Sequence, residues 1–250
     1  MPTRRAFLAS SIFTLVQHAL PPAPTTRPNI AEIDRGRILS AAAKALEQSP
    51  APTQDPGSEA YLALTLNIPA LAAAAHIDAA NAPQYTAHAA AHLDAWFLNP
   101  QTRLASAPAG AAYEPLLDRA MLAEVAVALP FLQLDPILLG DLKAWFHNYL
   151  AYLNESRTAL LARDAKSHHA SSWLLQVAAF SALTAEEAIQ AEARVRFKKV
   201  TLRAQIDANG GFPHEITGEN PYRDSLFNLD LLAGACQLLS TRFESLWEYE

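Results

Sequence analysis

The chain has 250 residues, a formal net charge of −6 and an apolar content of 51%, values of a folded globular protein rather than a disordered one. The acidic balance, with a pI near 5.7, argues against nucleic acid as a partner, because a phosphate backbone demands a concentrated basic surface. It does not exclude a polyanionic sugar, which a local cluster of Arg, His and Asn in a cleft can grip on an acidic protein. The single cysteine, Cys236 in LLAGACQLL, excludes an intramolecular disulfide and reads as a buried, inert thiol.

Taken in chain order, Arg4 and Arg5 precede an apolar run from Phe7 to Val16, the pattern of a twin-arginine export signal, and Pro21, Pro22 and Pro24 end it. Residues 1–28 therefore read as signal and linker, and 29–250 as one helical domain in the periplasm or outside the cell. No later run holds about 18 uninterrupted apolar residues, so no membrane span is expected after signal removal. Apolar spacing predicts a helix over Ile30–Gln48, then a Pro-rich loop over Ser49–Ser58. Ala60–Ala80 is almost wholly apolar, and Pro69 is expected to divide it. Pro83–Leu98 places Tyr85, His88, His92 and Trp96 near one stripe, and Asn99–Glu114 reads as an irregular loop. Further helices are predicted over Leu116–Leu129, Pro136–Asn154, Ser171–Leu183 and Ala185–Gln205. A turn at Gly210 and Gly211 leads through Phe212–Asp224 to a last helix over Ser225–Leu239. With eight glycines, abundant Ala and Leu, and no strand alternation, the chain is all-α. Such hairpins close into a ring or stack as a bundle, and periodicity does not separate the two.

Three stretches in order resemble the alginate lyase family of polysaccharide lyases: HLDAWFLNPQTR (His92–Arg103), DLKAWFHNYLAYLNES with SHHASSWLLQVAAF (Asp141–Ser156 and Ser167–Phe180), and GGFPHEITGENPYRDSLFNLDLL (Gly210–Leu232). The resemblance spans roughly Ile30 to Ser240. It implies an α/α toroid, here an incomplete barrel of helical hairpins, with a groove for an acidic polysaccharide such as alginate. It further implies β-elimination at a uronate. A proton leaves C-5 beside the carboxylate and the 4-O-glycosidic bond breaks, so the site must neutralise that carboxylate and move protons.

In the family an Asn-His pair and an Arg serve neutralisation and a Tyr transfers protons. With Gln176 in register, the family's Asn-Asn-His-Gly stretch falls on Ser167, His168, His169 and Ala170, so the histidine is kept as His169 and the Asn has become His168. Aligning Glu215 and SLFNLD places the family's Arg on Gly218 and its Tyr on Asp224. Tyr222 and Arg223, just before Asp224, could supply a phenol and a guanidinium from shifted positions. The expected catalytic set is thus His168, His169, Tyr222 and Arg223, with Trp96, Arg103, Trp173, Gln176, Glu215 and Asn228 as expected substrate contacts.

Read without the resemblance, the same residues allow plainer roles. Two adjacent histidines can be a partly solvated helix start, and Trp96, Trp145 and Trp173 can be core rather than sugar platforms. Arg194, Arg196, Lys198, Lys199 and Arg203 read as a solvated helix face. No spaced Cys, His or carboxylate set suggests a metal, and no Gly-x-Ser-x-Gly elbow, phosphate loop or dinucleotide fingerprint suggests a cofactor. Two functions remain open: a monomeric polyuronate lyase, or a lyase-like protein without catalysis that binds acidic glycans or is structural.

Overall fold

A computed structural model of the chain describes residues 33–107 and 114–249. The twin-arginine stretch and the middle of the expected loop therefore lie outside the described residues. One compact unit takes in Gly36–Glu250, and no strand occurs among the described residues. Its helices are α1 (Arg35–Leu46), α2 (Glu59–Ile77), α3 (Ala82–Leu93), α4 (Glu114–Asp118), α5 (Leu122–Ala128), α6 (Pro136–Glu155), α7 (Arg157–Arg163), α8 (His168–Thr184), α9 (Glu187–Arg196), α10 (Leu202–Gln205), α11 (Pro213–Ile216) and α12 (Pro221–Leu239).

Local chemistry fixes several boundaries. Ser58 caps α2 by accepting from Tyr61 N, Asp135 caps α6 by accepting from Ile137 N and Leu138 N, and Ser156 caps α7 by accepting from Ala159 N. Pro136 occupies the first turn of α6, where its missing N–H costs nothing. Ala185, in the left-handed region at φ 61°, stops α8.

Pro69 does not divide α2, contrary to expectation. The ring removes one backbone bond, yet Leu64, Ile68, Leu71 and Ala72 around it are buried against α3 and α5, and that packing holds the helix continuous. By length and composition α2 could also cross a membrane, but its buried face belongs to this core.

Two helices carry a π turn. At Asp94–Leu98 the Asn99 N–H reaches back to the Asp94 carbonyl at 2.9 Å, and the Thr102 hydroxyl and the Leu104 N–H take up the Ala95 and Trp96 carbonyls. The second, Phe197–Thr201, joins α9 to α10, so the single helix expected over Ala185–Gln205 is one rod with a widened turn.

At the centre lies α8. Almost every side chain from Ala170 to Leu183 is buried, and the helix packs on α12, α6, α9, α5 and α7. A helix buried on all sides must be an inner helix, and the surrounding helices supply its walls. The approach to α12 is closest at Gly234, where a Cβ would sit 2.9 Å from Leu175 Cδ1. Phe97, Trp145, Phe146, Tyr149 and Phe180 form an aromatic wedge between α6, α8 and the first π turn, with ring centroids 4.8–5.6 Å apart.

Candidate active site at the start of the central helix

The inner helix begins at His168, and its first residue is held by a residue 47 positions away. Glu215, on the short helix α11 and only 3% exposed, accepts the His168 backbone N–H on Oε1 at 2.7 Å. Its Oε2 lies 2.8 Å from His168 Nδ1. Asn228 Nδ2 donates to Glu215 Oε1 at 3.1 Å and to Gln205 Oε1 at 2.8 Å. The Ser171 hydroxyl lies 2.6 Å from Asn228 Oδ1 and 3.0 Å from Gln205 Oε1. A buried carboxylate is costly unless its lone pairs are used, and here two backbone or ring N–H groups and one amide use them.

The His168 ring stacks on His169 with centroids 4.5 Å apart and meets the edge of Phe227 at 6.0 Å. His169 Nδ1 is 3.0 Å from the Ser167 hydroxyl. In front of His168 opens a cleft of about 360 Å³ lined also by Asp118, Met121, Arg223, Asp224 and Phe227. Arg223 is exposed and its Nε and Nη2 both reach Asp224 Oδ1, at 3.0 and 2.9 Å. The cleft therefore offers an imidazole, a guanidinium half-neutralised by its neighbour, and a second carboxylate at Asp118. Among the described residues no group of three or more His, Cys, Asp or Glu is placed to hold a metal ion.

Residues 40–250 match the family model described as alginate lyase. The chain belongs to the alginate lyase family. Its fold is similar to that of a solved alginate lyase from Bacteroides ovatus, with a TM-score of 0.75 at 16% identity, covering 85% of this chain and 74% of that one. That likeness identifies the fold as the all-α toroid. No curated protein sequence matches the chain.

Gly218 and Asp224, to which the resemblance assigned the family's Arg and Tyr, are neighbours in space. A Cβ built on Gly218 would lie 3.7 Å from Asp224 Oδ2 and 3.3 Å from the Glu215 carbonyl. Of the two, Asp224 lines the His168 cleft.

Of the residues expected from sequence, His168 and Arg223 share the cleft, while Tyr222 is 80% exposed and is not part of its lining. Trp96, Gln176 and Asn228 are at most 1% exposed, so as placed they offer a polysaccharide no surface. Trp96 packs edge-on to Tyr61. Gln176 donates to the Leu116 carbonyl and receives the Tyr149 hydroxyl at 2.9 Å. Glu215, likewise expected to touch substrate, is spent on His168. Trp173 is 5% exposed, donates to the Leu153 carbonyl and borders a different cleft of about 540 Å³. Arg103 lines a third, about 740 Å³, with Asp141 and Asn148. Of the six expected substrate contacts only Trp173 and Arg103 line one of these clefts, and neither lines the cleft at His168.

Other sequence readings meet a mixed outcome. Trp145 is core, with its indole N–H on the Leu104 carbonyl. Cys236 is buried, and desolvation raises its thiol. The basic run is only partly a solvated face: Arg194 donates to the Leu239 carbonyl, Arg196 binds the Arg163 carbonyl and Asp164, and Lys198 pairs with Glu244, tying the chain's last segment down. The sequence reading missed Arg119, 3% exposed, whose guanidinium donates to the Ala105 carbonyl at 2.7 Å and lies 5.5 Å from the Tyr149 ring centroid. The signal was present in LLDRAML, where a lone arginine interrupts an apolar run.

Proposed function

We propose that the protein is a polysaccharide lyase that cleaves alginate or a related polyuronate by β-elimination at the His168 cleft. The observation that carries this reading is that His168, seated by a buried glutamate, and Arg223 line the same cleft. Abstraction of the C-5 proton is difficult because the carbon acid is weak. The reaction becomes accessible when positive charge and hydrogen-bond donors meet the carboxylate as negative charge builds on it. Arg223 lines the cleft and supplies one such group; His169, stacked on His168 though not itself in the lining, is the histidine that the family resemblance assigns to the other, and the elimination itself requires only proton transfers. Arg4 and Arg5 ahead of the Phe7–Val16 run support action in the periplasm or outside the cell, where such polymers are met, and the protein acts as a monomer.

The test is the ultraviolet absorbance of the unsaturated product after mixing the protein with alginate, polymannuronate, polyguluronate or glucuronan. Absorbance rises with at least one polymer and is lost in His169→Ala. A second reading, a lyase-like protein without catalysis that binds acidic glycans elsewhere on its surface, is favoured by the Asp118 and Asp224 carboxylates, which oppose a uronate in this cleft. It predicts no absorbance change with any polymer alongside measurable retention on an alginate column.

A further inference from the structure

The resemblance reads the family's proton-transferring tyrosine as Asp224 here, and Tyr222 stands outside the cleft lining. We propose that His168, held by Glu215, is the catalytic base of this enzyme, a proposal that rests on the lyase reading above. The geometry fixes the tautomer. Glu215 already accepts the His168 backbone N–H and the Asn228 amide on Oε1, so it is an acceptor, and Nδ1, 2.8 Å from Oε2, must carry the proton that joins them. The neutral ring then has its lone pair on Nε2, on the edge remote from Glu215, and the ring lines the cleft. A carboxylate behind an imidazole also stabilises the imidazolium that forms when Nε2 takes a proton.

The step balances without a co-reactant. The Nε2 lone pair takes the C-5 proton, and the C–H electron pair becomes the C-4 to C-5 double bond. The C-4 to oxygen bond breaks with its pair on the leaving glycosidic oxygen, which takes a proton from water. The imidazolium returns its proton to solvent. This divides labour between two stacked histidines: His169 with Arg223 meets the carboxylate, and His168 takes the proton. Glu215 acts through His168 and is a positioning residue, steadied in turn by Asn228, Ser171 and Gln205.

The two roles open to His168 give opposite pH profiles. A base must be neutral, so kcat/KM rises with pH as imidazole loses its proton. A cation that neutralises the substrate must be charged, so kcat/KM falls over the same range. The experiment measures that profile for the full chain on whichever polyuronate it cleaves, together with His168→Asn, Glu215→Gln and His168→Ala with added imidazole. The expected result is a rising limb, a fall in kcat of about 10²-fold or more in His168→Asn with KM nearly unchanged, and partial recovery of His168→Ala by imidazole. Glu215→Gln lowers kcat and lets the His168 ring populate both neutral tautomers, because an amide can donate to Nδ1 as well as accept from it. Far-ultraviolet circular dichroism shows whether each variant is folded. The ¹⁵N shifts of the His168 ring report the Nδ1–H tautomer independently of turnover. An active wild type with a falling limb, or with His168→Asn at wild-type kcat, overturns the base assignment and leaves the lyase reading standing. Absence of cleavage of every polyuronate overturns both.

Discussion

The central helix carries two polar clusters of opposite character. At its first turn His168, Ser171, Glu215, Asn228 and Gln205 form a network whose outermost ring faces a cleft. Two turns further along, Gln176 joins Tyr149, Ser172 and the Leu116 carbonyl in a cluster with no exposed member, beside the buried cation of Arg119. Both networks contain buried polar side chains that hydrogen-bond to one another, with the Gln205 Nε2 left over in the first and the Arg119 Nε beside the second. Only the first has a titratable ring at its solvent end, and that is the difference between a group that can exchange a proton with substrate and one that can only hold helices together.

The comparison breaks most visibly if each cluster is disturbed in turn. Gln176→Leu takes the acceptor from the buried Tyr149 hydroxyl and leaves the Leu116 carbonyl only the 3.3 Å contact from the Ser172 hydroxyl, so it costs about 2–4 kcal/mol of stability. Activity per folded molecule stays the same. Urea unfolding with activity normalised to folded protein checks this, and a variant of unchanged stability would show the sealed cluster to be dispensable.

The second disturbance acts on the first cluster's cleft. Gly218→Arg with Asp224→Tyr installs, at two positions already side by side, the residues that the family resemblance assigns to them. It removes one of the carboxylates that oppose a uronate, and kcat/KM rises by about tenfold, roughly 1.4 kcal/mol of transition-state stabilisation. Gly218 does not have a positive φ, so the new side chain strains no backbone, although its Cβ meets the Glu215 carbonyl at 3.3 Å. The single change Asp224→Asn frees Arg223 and lowers KM by a smaller factor.

How far this was legible in the sequence follows from where the information sits. The α6 and α12 helices were readable because their apolar spacing is local, and α6 carries an Asp-Pro start that needs no knowledge of tertiary structure. The continuous α2 helix was misread at Pro69 because the penalty of proline is local while the packing that outweighs it comes from α3 and α5. The π turns were invisible because distant groups, Thr102 and Leu104, capture the carbonyls they free. At the site, the His168–His169 pair stood out by composition alone. Its dependence on Glu215 did not, since a residue 47 positions away gives no periodic signal. Residues such as Gln176 and Asn228 carried motif identity, yet their burial turned them from substrate contacts into supports.

The sealed cluster also sets the alkaline limit. Burial pushes the Tyr149 and Tyr61 hydroxyls above the usual phenol range, and Arg119 opposes the shift only in part. A raised folded pKa means that the folded state keeps protons the unfolded state has lost, so this contribution is intact below pH about 10 and declines above it. Tyr149→Phe flattens the alkaline limb of melting temperature against pH, and an unchanged limb would exclude Tyr149 as its source.

The smallest effect comes from a third pair, away from both clusters. His88 and His92 both place Nε2 on the Gln48 carbonyl, at 2.9 and 3.0 Å, with ring centroids 4.9 Å apart. The His92 pKa is lowered, first by burial and then by His88, while the bond to Gln48 works the other way. A lowered folded pKa on a histidine means that the unfolded chain takes up the proton first. Stability is therefore complete above pH about 6.5 and declines as pH falls from there towards the folded value. Gln48 opens the loop whose Gln54 amide donates to the Arg103 carbonyl, so loosening is expected to start at that loop. Hydrogen exchange at pH 5.5 against pH 7.5 should show residues 48–58 losing protection before α8 does. His92→Gln, which cannot take a proton, should remove the difference, and equal protection at both pH values in the wild type would show that the shared carbonyl carries no acid sensitivity.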